Sequence, residues 1–426
     1  MNSYALELRC VNCYAEYPLN SHMYEGCPSC RTERFASSLS PTYDYERLRQ
    51  SVSRDYFSQR RREVGVWKYS ELLPIQEAAH RVTLAEGATP LVRCERWARE
   101  LGLKGIYVKD ESRNPTWSFK DRHSAVATSM ALEQGARTVT IATSGNNGAS
   151  VAAYAAKAGI EAVIFTFPGY YETITTLMRM YGAYVFVTDV EGRWTLMREG
   201  IKRYGWHPVG NLTAIPTLNP YGHEGYKTIA YEICEDLNWE VPDLVVVPSG
   251  FSESLYGIWK GFREVASLGL TQRTPRMVAT EPSAGGPLAA SLKKGQDISF
   301  LDKQKSYRTM ARGIACSTNS FLGVLAMRES NGTAVTVSDD ETLSAQAALA
   351  RQGIYGECTS ATAAAGLTKL AKDGSLTGML AVVINSSSGL KDYSLAAARI
   401  QKPPEIQPDF ATLQGVAEEA YQVRWS

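Results

Sequence analysis

The chain of 426 residues is 44% hydrophobic and carries 45 Lys and Arg against 44 Asp and Glu, a formal charge of +1. That length and apolar content suit a globular protein of two or three domains. The even charge gives no global field for nucleic acid or an anionic membrane, so neither is expected as a partner and any charged ligand must be recognised locally.

The first residues, MNSYALELRC, show no basic region followed by an apolar run, and no stretch reaches the roughly 18 apolar residues of a membrane span. A cytoplasmic protein is expected. Of eight cysteines, four are clustered as Cys10-x-x-Cys13 and Cys27-x-x-Cys30. Two such knuckles can bring four thiolates around Zn²⁺ and leave no open position for water, so residues 1–36 read as a closed, structural zinc ribbon. An apo remnant or a redox pair is the other reading. The stretch SSLSPTYDY then reads as a linker.

From about Glu46 to Ile400 apolar runs of strand length alternate with helical stretches. GIYVKDE, TVTIATSG, EAVIFTFPG and AYVFVTD form a first series; DLVVVPSG, RMVATEP, TAVTVSDD and MLAVVINSSSG form a second. Several runs are apolar nearly throughout, which fits strands buried on both faces, and glycine-bearing turns lead from them into helices. The expected fold class is α/β, with two open parallel-sheet lobes and a crevice between them.

Ligands of open parallel sheets bind beyond the carboxyl ends of the strands, so the loops there carry the chemistry. TSGNNGAS leaves uncovered N–H groups at a helix start, suited to a carboxylate or phosphate. It also reads as an ordinary turn with a cap. PSGFSES offers Ser249, Gly250, Ser252 and Ser254 to an anion in the same way. NSSSGLKD adds short hydroxyls after the last strand, or is simply a serine-rich turn. Neither GxGxxG nor GxxxxGK[ST] occurs, which argues against a dinucleotide cofactor or a P-loop.

Lys120, in NPTWSFKDRH, opens a predicted helix. Beside Asp121 and Arg122 a lysine is ordinarily a solvated surface residue. Desolvated by Phe119 and Trp117, its amine is instead suited to a Schiff base, because burial favours the neutral form. With anion-binding loops around it, the combination points to pyridoxal phosphate.

The segments GATPLVRCERWARELGLKGIYVKDESRNPT, SFKDR, SGNNGASVAAYAAKAGIEAVIF, NPYGHEGYKTIAYEI, VPDLVVVPSG, AVTVSDDETLSAQ and SGLKD together resemble the threonine synthase family, pyridoxal-phosphate enzymes of fold type II, from about Gly87 to Asp392. The cysteine knuckles are similar to those of some members. The resemblance implies a tryptophan synthase β-like fold, with a large lobe from residues 37–120 and 208–426 and a small α/β lobe from 121–207. It implies an amino acid substrate and a homodimer.

It also implies that Lys120 forms the Schiff base and moves protons, with Phe119 packed against the cofactor and Asn146 bonded to the ring 3′-oxygen. Ser144, Gly145, Asn146 and Asn147 hold the substrate carboxylate. Ser249, Gly250, Phe251, Ser252, Glu253 and Ser254 form the cofactor-phosphate loop. Ser386, where the family has threonine, faces the pyridine nitrogen. A neutral hydroxyl there accompanies elimination and replacement more than transamination.

The chain departs from the family at the substrate side. Trp117 and His123 stand where the family has glycine, Pro216 and Gly222 where it has the asparagine and arginine that help hold the phosphate of O-phosphohomoserine, and Phe251 where it has asparagine. Losing that arginine removes a charge-assisted contact of about 1.5–3 kcal/mol per hydrogen bond. An altered substrate is expected, with Trp117 narrowing its space or merely packing its loop; if the substrate is O-phosphohomoserine after all, Thr217, His223 and Ser252 rebuild its phosphate site, His223 being otherwise a structural or surface residue. The leading reading is elimination or replacement at Cβ or Cγ of an amino acid. Threonine synthesis from O-phosphohomoserine, an ammonia-lyase acting on serine, threonine or diaminopropionate, and a non-catalytic cofactor-binding protein stay open.

Overall fold

The computed structural model describes residues 3–60, 65–169 and 172–425. Every one of the eight apolar runs is a strand. Six strands form the larger sheet, in the order Thr333–Val337, Arg276–Pro282, Leu244–Pro248, Leu380–Asn385, Gly105–Asp110 and Leu91–Arg93. All neighbours are parallel except the edge strand Leu91–Arg93, which pairs antiparallel with Gly105–Asp110 (Leu91 opposite Lys109).

The central strands are apolar because they are covered twice. On one face Val245, Val247, Met277, Ala279, Val382 and Ile384 pack under helices His223–Asp236 and Glu253–Ser267. On the other, Val246, Val278, Ala381 and Val383 meet Ala363, Ala364 and Leu367 of helix Cys358–Ala371. Alternate side chains thus enter two cores, as the period of two in a strand requires.

The smaller sheet has the order Tyr184–Val187, Glu161–Thr166, Thr138–Ala142 and His207–Pro208, all parallel. Helix Asn146–Ala158 lies against strands Thr138–Ala142 and Glu161–Thr166 and against helix Lys120–Glu133, the alanines of both helices letting them approach closely, and helix Gly192–Tyr204 also packs on these strands.

The N-terminal segment forms a three-stranded antiparallel sheet in which Ala5–Cys10 lies between Glu16–Pro18 and Leu39–Tyr43. Residues 392–426 form a separate compact unit with helices Tyr393–Ala397 and Phe410–Tyr421. Among the described residues no helix is long and apolar enough to cross a membrane.

Candidate active site

The loops after the parallel strands enclose a cavity of about 560 Å³. Lys120 reaches it from the first position of its helix, with Nζ donating to Tyr226 Oη at 3.0 Å and lying 5.0 Å and 5.4 Å from the ring centroids of Phe119 and Tyr226. Burial lowers the pKa of the amine, and the charges of Glu253, Cys316 and Glu357 oppose that only in part. A nucleophilic, unprotonated amine is what such a setting favours.

The neighbours that suggested a surface lysine are buried. Asp121 accepts from Thr116 N (2.7 Å), Thr116 Oγ1 (2.6 Å) and Ser150 Oγ (2.6 Å). Arg122 is paired to Glu111 at 2.7 Å and Glu232 at 2.6 Å, all three side chains being almost fully buried. Both charges that follow the lysine are therefore partnered inside the protein. The lysine's loop is also tied to the loop after strand Leu380–Asn385, because Phe119 N donates to Ser386 O (2.9 Å) and Ser388 N to Trp117 O (3.0 Å).

In TSGNNGAS, Ser144, Asn146 and Asn147 line the cavity, whereas Gly145, at φ 141°, makes the turn without lining it. Asn146 is held at both ends of its amide: Nδ2 donates to Glu357 Oε1 at 2.9 Å, and Oδ1 accepts from Lys391 Nζ at 2.7 Å. Asn147 Oδ1 is buried without a partner. Burial pushes the Lys391 amine down to about 8 against the opposing pull of Glu357 and Asp121.

In PSGFSES, Gly250, Phe251, Ser252, Glu253 and Ser254 line the cavity, and Ser249 lies behind them, its Oγ 2.8 Å from Ser252 Oγ. Ser252 adopts the left-handed conformation (φ 63°) just before helix Glu253–Ser267. That alternation of backbone hand, followed by unbonded helix N–H groups, makes an anion nest. Glu253, the one carboxylate in the loop, faces His123 Nε2 at 3.2 Å. Burial alone raises its pKa, but His123, and then Lys120, bring it to about 2. Ser386 also lines the cavity, its Oγ 2.9 Å from Ser360 Oγ.

Three residues expected at the substrate lie elsewhere. Trp117 is 46% exposed and outside the cavity lining, with φ 59° at the position where the family carries glycine. Thr217 holds the N-terminal module: its Oγ1 donates to Tyr24 O at 3.2 Å, and its carbonyl accepts from Ser38 Oγ at 2.6 Å. His223 does the same through Ser40 Oγ at 2.9 Å and is paired to Glu224. Both face the module because helix His223–Asp236 begins under it. Of that segment Leu218 lines the cavity.

His123 and Gly222 explain each other. A Cβ on Gly222 would lie 2.2 Å from His123 Nε2, so the buried imidazole fills the space that any side chain at residue 222 would need. The two departures from the family pattern are one change in packing.

Sequence reasoning missed Arg193, Arg312, Tyr226, Tyr307, Cys316 and Glu357. All but Tyr226 line the cavity, and Tyr226 sits beneath Lys120. Lys391 lay within the quoted SGLKD and could have been singled out there. Tyr226 likewise lay within the quoted NPYGHEGYKTIAYEI; the other five come from stretches with no motif.

Outside the cavity lining, the Sγ atoms of Cys10, Cys13, Cys27 and Cys30 all lie within 4.8 Å of one another, with Cys10–Cys30 at 3.7 Å and Cys13–Cys27 at 3.6 Å. A tetrahedron with Zn–S bonds of about 2.3 Å has edges of about 3.8 Å.

Residues 82–387 match the family described as pyridoxal-phosphate dependent enzyme. A threonine synthase of Methanocaldococcus jannaschii is 35% identical over 415 residues, 96% of this chain and 99% of that protein. One of Methanosarcina acetivorans is 36% identical over 369 residues, covering 85% and 86%. Among solved structures, a fungal L-serine ammonia-lyase from Rhizomucor miehei superposes with a TM-score of 0.64 at 20% identity, over 74% of this chain and 99% of that one, a likeness of fold. The chain belongs to the pyridoxal-phosphate dependent enzymes, and within them to the threonine synthase family.

Proposed function

We propose that the protein eliminates or replaces a group at Cβ or Cγ of an amino acid, with pyridoxal phosphate as cofactor and Lys120 as the residue that binds it covalently. The observation that carries this reading is the Lys120 amine, desolvated against Phe119 and Tyr226 and ringed by the loops of both sheets. The residues fit the cofactor: the nest at Ser249–Ser254 suits its phosphate, Glu253 has His123 Nε2 at 3.2 Å, and Ser386 offers its ring nitrogen a hydroxyl rather than a carboxylate. Asn146 is assigned to the ring 3′-oxygen.

When bound, the cofactor supplies an electron sink for the pair left as the Cα–H bond breaks. Lys120 takes the Cα proton, and Tyr226 Oη, 3.0 Å away, orients its amine. The N–H groups of Ser144–Asn147, at a helix N-terminus, bind the substrate carboxylate. A Ser386 hydroxyl fixed by Ser360 does not hold a proton on the ring, which favours elimination and replacement.

A second reading, threonine synthesis from O-phosphohomoserine, is favoured by the names of the relatives at 35% and 36% identity. We assign the four clustered cysteines a structural Zn²⁺, the chain a division into module, large lobe and small lobe in which the module runs on from residue 36 through strand Leu39–Tyr43 and residues 392–426 stand as their own unit, and the assembly a homodimer.

The test is an amino acid panel. O-Phosphohomoserine, O-phosphoserine, serine, threonine and diaminopropionate are added to the loaded enzyme, the visible spectrum is followed, and products are identified. At least one should release its leaving group with wild type and none with Lys120→Ala; a spectrum unmoved by every compound contradicts the proposal.

A further inference from the structure

Arg193, near the start of helix Gly192–Tyr204, is only 7% exposed and lines the cavity. Its Nε donates to Val190 O and its Nη1 to Thr143 O, both at 3.1 Å, and the guanidinium lies 5.0 Å and 5.6 Å from the ring centroids of Phe167 and Trp194. Among the described residues it forms no ion pair. The nearby Asp189 caps the helix through Glu191 N (3.0 Å) and Gly192 N (2.8 Å).

A buried guanidinium is costly unless its charge is answered. Here carbonyl oxygens meet two of its five N–H donors, two aromatic rings lie beside the guanidinium, and among the described residues the other donors have no protein acceptor. Arg312, whose Nη1 donates to Gly169 O at 2.7 Å, and Tyr307 line the same cavity. Meanwhile Thr217, Gly222 and His223 are outside it and the space beside Gly222 is filled by His123. Positive charge for a substrate group thus stands on a different wall from the one that the family's motif marks.

We propose that Arg193 binds an oxyanion carried on the side chain of the reacting amino acid, and so selects substrates whose side chain or leaving group is acidic. The proposal rests on the function proposed above and names its substrate class. A planar fork of donors recognises phosphate, sulfonate or carboxylate oxygens in pairs, which a lysine at the same place would not. The α-carboxylate is assigned to the separate N–H groups of Ser144–Asn147.

The test is an equilibrium titration of the loaded enzyme, read in the visible spectrum, with pairs that differ only in side-chain charge: O-phosphoserine against serine, and O-phosphohomoserine against homoserine. Arg193→Gln should weaken binding of the phosphorylated members by about tenfold or more and of the neutral members by less than about twofold. Inorganic phosphate should compete with O-phosphoserine in wild type and fail to do so in R193Q. Equal weakening of both members of a pair would assign Arg193 to the α-carboxylate and overturn the proposal, as would no weakening at all. Competition by phosphate against serine as well would point to a free anion as the true ligand, and would also overturn it.

If R193Q does not fold, Arg193→Lys and phosphate competition in wild type decide the matter: the lysine variant should keep part of the discrimination. A failure of the underlying function looks different, since then no amino acid perturbs the spectrum of wild type.

Discussion

Single residues show how far charge and bulk in a sequence depend on partners far along the chain. Trp117 takes a left-handed backbone conformation that costs a residue with a Cβ roughly 1–2 kcal/mol, while its side chain stays outside the cavity. Trp117→Gly should therefore leave the KM of any accepted substrate within about twofold; a larger change, measured in steady state, would place the indole at the substrate after all. Arg122 is the converse case. Its neighbours in sequence suggested solvent, yet it is bound to Glu232 more than a hundred residues away. No local pattern carries such a pairing.

At the scale of elements, the strands were legible because double burial writes itself as an unbroken apolar run, and the cysteine cluster because its four thiols come as two pairs at one spacing. The edge strand Leu91–Arg93 was not, being too short for any period to show. The loops after the strands were recognisable from their glycine, serine and asparagine. The wall formed by Arg193, Tyr307 and Arg312 was invisible, since it exists only when a helix of the small sheet and a loop after the large one come to face the same space.

The N-terminal module has its own consequence. It docks through Ser38 on Thr217 and Ser40 on His223, and the intervening Leu218 lines the cavity. Stripping the metal proposed for its four cysteines with a strong chelator should lower the unfolding midpoint by more than about 5 °C and weaken cofactor retention. Calorimetry and the visible spectrum check both; an unchanged midpoint after verified metal removal would sever the module from the stability of the site.

At the scale of the molecule, the loops of the two sheets bring one lysine, Lys120, to the cavity lining and set a second, the buried Lys391, behind Asn146 of that lining. Lys120 is desolvated and bonded to a neutral hydroxyl, Tyr226 Oη. Lys391, with an amine pushed down by burial to about 8, is engaged by Asn146 and lies near Glu357. A neutral phenol leaves the Lys120 amine free to react, whereas Lys391 is committed to holding Asn146.

The direct measurement is to load the protein with pyridoxal phosphate, reduce it with borohydride and map the modified peptide by mass spectrometry. The pyridoxyl group should be found on the peptide bearing Lys120 and be absent in Lys120→Ala. Its appearance on Lys391, on another lysine, or on none would contradict the account.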